Sequence, residues 1–265
     1  MLSQFHRYPS TSGRDVRFSK LAIDSNMKGT DTLAIPRGLA LTVNADYDGD
    51  KTQSRLLFAG SDYASYEDFK KNFKLTYEPD FNFGFDVVDK YAEIDPDKVA
   101  LIWTNDEDEN HTFTFKDIKE YSNKTVNLLK GLGIKKGDKV MLTLKNRFEW
   151  WFCMVALHKI GAIVIPATHM LKLHDIEFRL KQAEVKAVIS VEEDSLLPDF
   201  EEAEKSIDWD IEKLVIDTDR DGWINFTKAI EQESPVYERP TDDENPMADE
   251  TFLIYFTSGT SGNPK

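Results

Sequence analysis

From about Tyr66 onward the apolar and polar positions fall into regular periods, whereas before it no helical period is sustained. Phe85, Val88 and Tyr91 recur at helical spacing until Asp95-Pro96-Asp97 breaks the run. Residues 99–103 form a short apolar run, so they predict a strand. The acidic turn Asp106-Glu107-Asp108-Glu109-Asn110 then predicts a hairpin tip leading to a returning strand at 111–115. Thr114 and Asp117 have capping-box spacing, in which hydroxyl and carboxylate each satisfy the other residue's free backbone N–H. After them Phe115, Ile118, Tyr121, Thr125, Leu128, Leu129 and Leu132 lie on one helical stripe, which Gly131 and Gly133 end. Gly137-Asp138 turns the chain into a strand expected at 140–144.

A second unit repeats the alternation. Asn146 is expected to open a helix burying Trp150, Trp151, Met154 and Leu157, with Gly161 ending it. Residues 162–165 are apolar throughout, the pattern of a strand covered on both faces in a parallel sheet. His174-Asp175 starts a helix carrying Ile176, Phe178 and Leu180, and a strand follows at 187–190. An acidic stretch leads to a buried strand at 214–216, and Trp223 precedes a short helix near 226–230. A polar linker at 231–250, holding Pro235, Pro240 and Pro246, delivers a last strand at 251–256. Strands alternating with helices predict an α/β fold of mostly parallel strands with flanking helices.

Composition separates residues 1–60 from the rest. No Glu occurs before Glu67, and this head carries eight Lys and Arg against six Asp, although the whole chain has a formal net charge of −15. Rich in Ser, Thr, Gly and Asn, the head is expected to be poorly ordered or a non-homologous extension. Arg7, Arg14, Arg17 and Lys20 hint at a transit peptide, but a strong amphipathic face is missing. The acidic balance repels phosphate backbones and argues against a nucleic-acid partner. One cysteine, Cys153, excludes a disulfide framework, reads as a small buried hydrophobe and fits a reducing compartment. The most apolar stretch, 150–167, contains His158, Lys159 and Gly161, so no membrane span is expected.

The chemistry concentrates in the last residues. The apolar strand at 251–256 runs into Thr257, Ser258, Gly259, Thr260, Ser261, Gly262, Asn263, Pro264 and Lys265. Glycines allow positive φ and close backbone approach, while backbone N–H groups and the hydroxyls of Thr257, Ser258, Thr260 and Ser261 can donate to phosphate oxygens. Lys265 supplies a cation. A Walker A loop would need Gly-Lys-[Ser/Thr] at its end, and here Asn263-Pro264 separate Gly262 from Lys265.

The string from Tyr255 and Phe256 through Lys265 resembles the signature phosphate loop of the adenylate-forming (AMP-binding) superfamily, which includes acyl-CoA synthetases, luciferases and peptide-synthetase adenylation domains. The step Gly133-Ile134-Lys135-Lys136-Gly137-Asp138-Lys139-Val140 is similar to that family's Gly-Val-x-x-Gly-Asp-x-Val. Residues 146–151, 161–168, 175–180 and 221–226 look most like the medium-chain acyl-CoA synthetases. The resemblance begins near Tyr77 and does not include 1–60.

It implies the N-terminal part of a large α/β domain, spanning 61–265 here, and a two-step acid–thiol ligase. A short- or medium-chain carboxylic acid would attack ATP to give an acyl-adenylate, and CoA would then take the acyl group, with Mg²⁺ accompanying the nucleotide. By position, Thr257, Ser258, Gly259, Thr260, Ser261, Gly262, Asn263, Pro264 and Lys265 would contact ATP phosphates. The segment Thr168-His169-Met170 would lie on the CoA side, where family members often carry Gln at the position of Met170. In the family the catalytic residues follow the phosphate loop, so they are expected beyond Lys265, and the 265 residues alone are expected to be an inactive fragment. The partners implied are small molecules, and the location cytoplasmic, or the mitochondrial matrix in a eukaryote. Two other classes stay open: another adenylating ligase (acetyl- or aryl-CoA, or amino-acid adenylation), and a non-catalytic nucleotide- or acyl-binding module. Chain length of the acid and oligomeric state are not legible.

Two features imitate metal sites. Asp217-Thr218-Asp219-Arg220-Asp221-Gly222 follows the first half of a calcium loop, but the twelfth position is Lys228, a cation where a bidentate Glu is needed. His158, His169 and His174 lack metal-ligand spacing. Glu201, Glu202, Glu204 and Asp208 read as a solvated helix face.

Overall fold

A computed structural model describes residues 3–8, 16–18, 51–54, 66–72 and 77–256. The chain forms two compact units, Met1–Thr76 and Tyr77–Lys265. In the first, β1 (Ser3–Tyr8) pairs antiparallel with both β2 (Val16–Phe18) and β3 (Lys51–Ser54), and α1 (Tyr66–Asn72) follows.

The second unit begins with a π-helical segment, Gly84–Asp89, running directly into α2 (Lys90–Ile94). The spacing of Phe85, Val88 and Tyr91 predicts helix here but gives no sign of its wider turn. A Cβ on Gly84 would lie 2.7 Å from Cγ of Lys159, so glycine lets this segment settle onto the lysine stem. β4 (Val99–Thr104) and β5 (Asn110–Thr114) form the expected antiparallel hairpin around the acidic tip. The capping box is present: Asp117 N–H donates to Thr114 Oγ1 at 3.2 Å, and Thr114 N–H donates to the Asp117 carboxylate at 2.7 Å. It starts α3 (Phe115–Gly131), which ends with Leu132 as C-cap and Gly133 at φ 87°.

The main sheet has five parallel strands in the order β10-β9-β8-β6-β7: β6 (Lys139–Thr143), β7 (Ile163–Pro166), β8 (Val185–Ser190), β9 (Glu212–Val215) and β10 (Ile224–Asn225). The crossovers are α4 (Glu149–Ile160), α5 (Leu173–Ala183) and α6 (Leu196–Glu204), and α7 (Phe226–Ile230) closes the run. Alternation along β6 divides the core between two faces. Val140 and Leu142 point to the face covered by α3, α4 and α7, and Met141 points to the face covered by α5 and α6.

Three expectations shift. Asn146 does not open α4, which begins at Glu149. The Asn146 carbonyl instead accepts from the Trp103 indole at 2.6 Å, which holds the preceding turn outside the helix. Trp151 is 45% exposed, because α4 packs on two sides at once. Cys153, Ala156, Leu157 and Ile160 face the sheet, while Phe152 and Val155 meet the β4–β5 hairpin cluster. The strand expected at 251–256 is reduced to a single bridge, Leu253 to Val164, with Val164 N–H donating to Phe252 O at 2.8 Å and Ile254 N–H to Val164 O at 2.9 Å.

The bridge adds residues 251–256 beside β7, at the opposite edge from β10. Residues 231–250 therefore cross the full sheet, a span of about 24 Å at roughly 4.8 Å per strand. They are held to α3 as they cross: Asn123 Nδ2 donates to Pro235 O at 2.9 Å and Asn127 Nδ2 to Ser234 O at 2.8 Å, and Lys130 pairs with Glu244 at 2.7 Å. Arg239 reaches Asp86 at 2.9 Å and Asn245 Oδ1 at 3.0 Å, and also bonds to Asp80. What composition presents as a polar linker is a bonded strap.

Candidate nucleotide-binding site

In open parallel sheets, ligands bind beyond the carboxyl ends of the strands, where loops and helix N-termini converge. Residues 251–256 run parallel to β7, so Phe256 lies toward that end of the sheet, and Thr257 follows it in sequence. Thr257, Ser258, Gly259, Thr260, Ser261, Gly262, Asn263, Pro264 and Lys265 themselves lie outside the described residues.

The approach to the loop is built from both cores. Phe252 and Leu253 pack on the α3–α4 side, and Ile254 and Phe256 on the α5–α6 side. Phe256 meets the Phe178 ring edge-on at 6.1 Å, and the Arg179 guanidinium lies 5.2 Å from the Phe256 ring centre. Arg179 is oriented by Asp175, donating to its backbone oxygen at 2.9 Å. Sequence reasoning gave Arg179 no role; its four-residue spacing from Asp175 on a helix was the available signal.

Around the carboxyl ends, Thr143 Oγ1 donates to Ser190 Oγ at 2.8 Å, closing the seam between β6 and β8. Above it Lys145 bonds to Glu193 at 2.7 Å and holds that carboxyl below its usual range. Met170 follows β7 and is 68% exposed, and its backbone N–H donates to Thr168 Oγ1 at 3.2 Å. At the opposite end of the sheet, a pocket of about 230 Å³ lies between the turn before β7 (Gly161, Ala162) and the foot of the last segment (Glu250, Thr251, Phe252), with His158 in its wall. It lies at the amino end of β7, away from Phe256.

The calcium-like turn is satisfied internally. Lys228 pairs with Asp219, Asn225 Nδ2 donates to Asp219 at 2.9 Å, and Arg147 pairs with Asp217 at 2.5 Å. Among the described residues no group of three His, Cys, Asp or Glu is arranged to hold a metal ion. Cys153 is fully buried, and burial pushes its thiol well above its usual range. No helix among the described residues is long and apolar enough to cross a membrane.

Residues 88–265 match the family described as AMP-binding enzyme. The chain belongs to the AMP-binding enzymes. Among curated relatives of this AMP-binding chain, the rat (Rattus norvegicus) acyl-coenzyme A synthetase ACSM5, mitochondrial, is 34% identical over 192 residues, 70% of this chain and 32% of the relative. The human (Homo sapiens) acyl-coenzyme A synthetase ACSM3, mitochondrial, is 30% identical over 210 residues, 77% of this chain and 35% of the relative. The chain thus spans about a third of the length of these relatives. Two solved structures share the fold. The acyl-CoA synthetase of Brucella canis has a TM-score of 0.63 at 23% identity, covering 75% of this chain and 37% of that one. The anthranilate CoA ligase AuaEII, in complex with anthranoyl-AMP, has a TM-score of 0.62 at 24% identity, covering 71% and 34%.

Proposed function

We propose that this chain is the nucleotide-gripping portion of an AMP-forming acyl-CoA synthetase acting on a short- or medium-chain carboxylic acid. The observation that carries the reading is the strand-to-loop junction. A segment paired to β7 runs directly into glycines, hydroxyls and Lys265, inside a stretch that matches the AMP-binding enzymes. The curated relatives named as acyl-coenzyme A synthetases support the acyl and CoA halves of the reaction.

In this reading a carboxylate oxygen attacks the α-phosphorus of ATP. The new O–P bond forms as the bond from the α-phosphorus to the bridging oxygen breaks, and pyrophosphate leaves. The CoA thiol then loses its proton and attacks the acyl carbon, and the C–O bond to AMP breaks. Thr257, Ser258, Gly259, Thr260, Ser261, Gly262, Asn263 and Pro264 contact the phosphates, with backbone N–H groups and hydroxyls as donors, and Lys265 offsets β/γ charge. Mg²⁺ would travel with the phosphates; the described residues offer it no ligand cluster, so no protein ligand is assigned. Met170, exposed after β7, is assigned to the CoA side, where its thioether offers apolar contact and at most a weak acceptor.

We assign the AMP-binding part to residues 61–265 and place 1–60 outside it. We also place the reaction in a reducing aqueous compartment. The relatives named mitochondrial favour the matrix over the cytoplasm.

The reaction is tested on the longest reading frame containing this chain, supplied with ATP, CoA and hexanoate. Equal amounts of AMP and hexanoyl-CoA are expected. Formation of ADP, or of neither product with any carboxylic acid, contradicts the reading.

A further inference from the structure

Lys136 lies in the turn between α3 and β6, and its ammonium uses all three donors on the strap. It donates to Asp243 O at 3.1 Å and Asn245 O at 2.9 Å, and pairs with Glu250 at 2.7 Å. Glu250 directly precedes the segment that pairs with β7, and its carboxylate also accepts from Met247 N–H at 2.9 Å. Beneath this hook sits Gly161, the C-cap of α4 at φ 77°. A Cβ there would meet Lys136 Cγ at 3.0 Å and Pro246 Cγ at 3.1 Å, so lysine stem, glycine and strap are in direct contact.

The same turn also sets the start of β7. Gly137 N–H donates to Gly161 O at 2.9 Å, and Ile163 N–H to Asp138 O at 2.7 Å. One turn therefore anchors both β7 and the segment that must align with it. The alignment itself is thin, a single bridge at Leu253 and Val164 with one hydrogen bond on either side. A slip of one residue would exchange Leu253 and Ile254 between the two core faces. A ladder this short contributes little to its own register, which is left to the two apolar faces and to contacts outside the ladder.

We propose that Lys136 is a positioning residue whose hook on Asp243, Asn245 and Glu250 fixes the register of residues 252–254 on β7, and through it the point where the nucleotide loop leaves the sheet. The nucleotide clause rests on the proposed function; the register clause does not.

The test uses Lys136→Met, Lys136→Arg and Glu250→Gln in the 265-residue chain, with site-resolved amide exchange and ATP titration. In Lys136→Met and Glu250→Gln, protection of the Val164 and Ile254 amides should fall about tenfold or more while amides between β6 and β8 keep theirs. ATP affinity should fall about tenfold in the same variants, and Lys136→Arg should restore both to within about threefold. Unchanged protection at Ile254 in Lys136→Met overturns the proposal. A uniform loss across the sheet in both charge-removing variants overturns it too, since the hook would then be a general fold contact. Should the wild-type chain fail to bind ATP, the nucleotide clause falls while exchange at Ile254 still decides the register.

Discussion

Lys159 Nζ lies 2.6 Å from Asp89 Oδ1 with no side-chain exposure to water, joining α4 to the π-helical segment that opens the second unit. Ser122 Oγ at 3.1 Å and Asn123 Oδ1 at 2.7 Å accept the remaining two ammonium protons. Asn123 passes the connection on to the strap through Pro235 O. Burial pushes Lys159 down to about 8 and Asp89 upward, and the pairing opposes both shifts.

Removing one partner of a buried pair leaves the other uncompensated, which costs about 3–5 kcal/mol, whereas removing both costs less. Asp89→Ala should therefore destabilise the chain by an amount in that range, and Asp89→Ala with Lys159→Met should recover a large part of it. Urea unfolding of the double-mutant cycle measures the coupling. Strictly additive effects would show that the pair does not act as one.

His158, next to Lys159 in sequence, is mostly buried against Phe252, with ring centres 4.4 Å apart. Burial lowers it from 6.5 to about 4, an effect the Asp86 charge opposes. The folded state thus holds the neutral ring where the unfolded state binds a proton. Its contribution to stability is complete above pH 6.5 and is lost as pH falls through 4, by up to about 3 kcal/mol. His158→Asn should flatten the stability profile between pH 6.5 and 4; a profile as steep as wild type assigns the acid sensitivity elsewhere.

Much of the sheet was legible because its cause is local. The Thr114–Asp117 box, the apolar alternation of β6 and Gly161 as a helix end each need only neighbouring residues. The buried lysine was not legible for the opposite reason. Lys159 stands in an apolar run, where a charge reads only as evidence against a membrane span, and its partner Asp89 lies 70 positions away. Asn146 misled because its helix-opening chemistry is overridden by a distant indole, that of Trp103. The strap read as a linker because its anchors, Asn123, Asn127 and Lys136, lie more than a hundred residues upstream. The expected phosphate loop is a string of residue types that lies outside the described residues, while the cation–aromatic contact of Arg179 with Phe256 arises only from folding.

Two glycines should respond in opposite directions to the same change. Gly131 lies in the last turn of α3 with open space where a Cβ would sit, so Gly131→Ala should stabilise by about 0.5–1 kcal/mol. Gly161, at positive φ and wedged against Lys136 and Pro246, should lose about 1–3 kcal/mol on the same substitution. Thermal or urea unfolding of both variants checks the pair. Equal responses would mean that neither backbone conformation nor the strap contact matters at 161.

The most direct measurement is a titration of the 265-residue chain with ATP, with and without Mg²⁺, beside Lys265→Met and a Gly259→Val variant. Saturable binding is expected in the wild type, competed by pyrophosphate. Each variant should weaken it by about tenfold or more, since a lost charge-assisted phosphate contact is worth about 1.5–3 kcal/mol. Binding that is absent in the wild type, or unchanged in both variants, would contradict the assignment of this loop as the nucleotide grip.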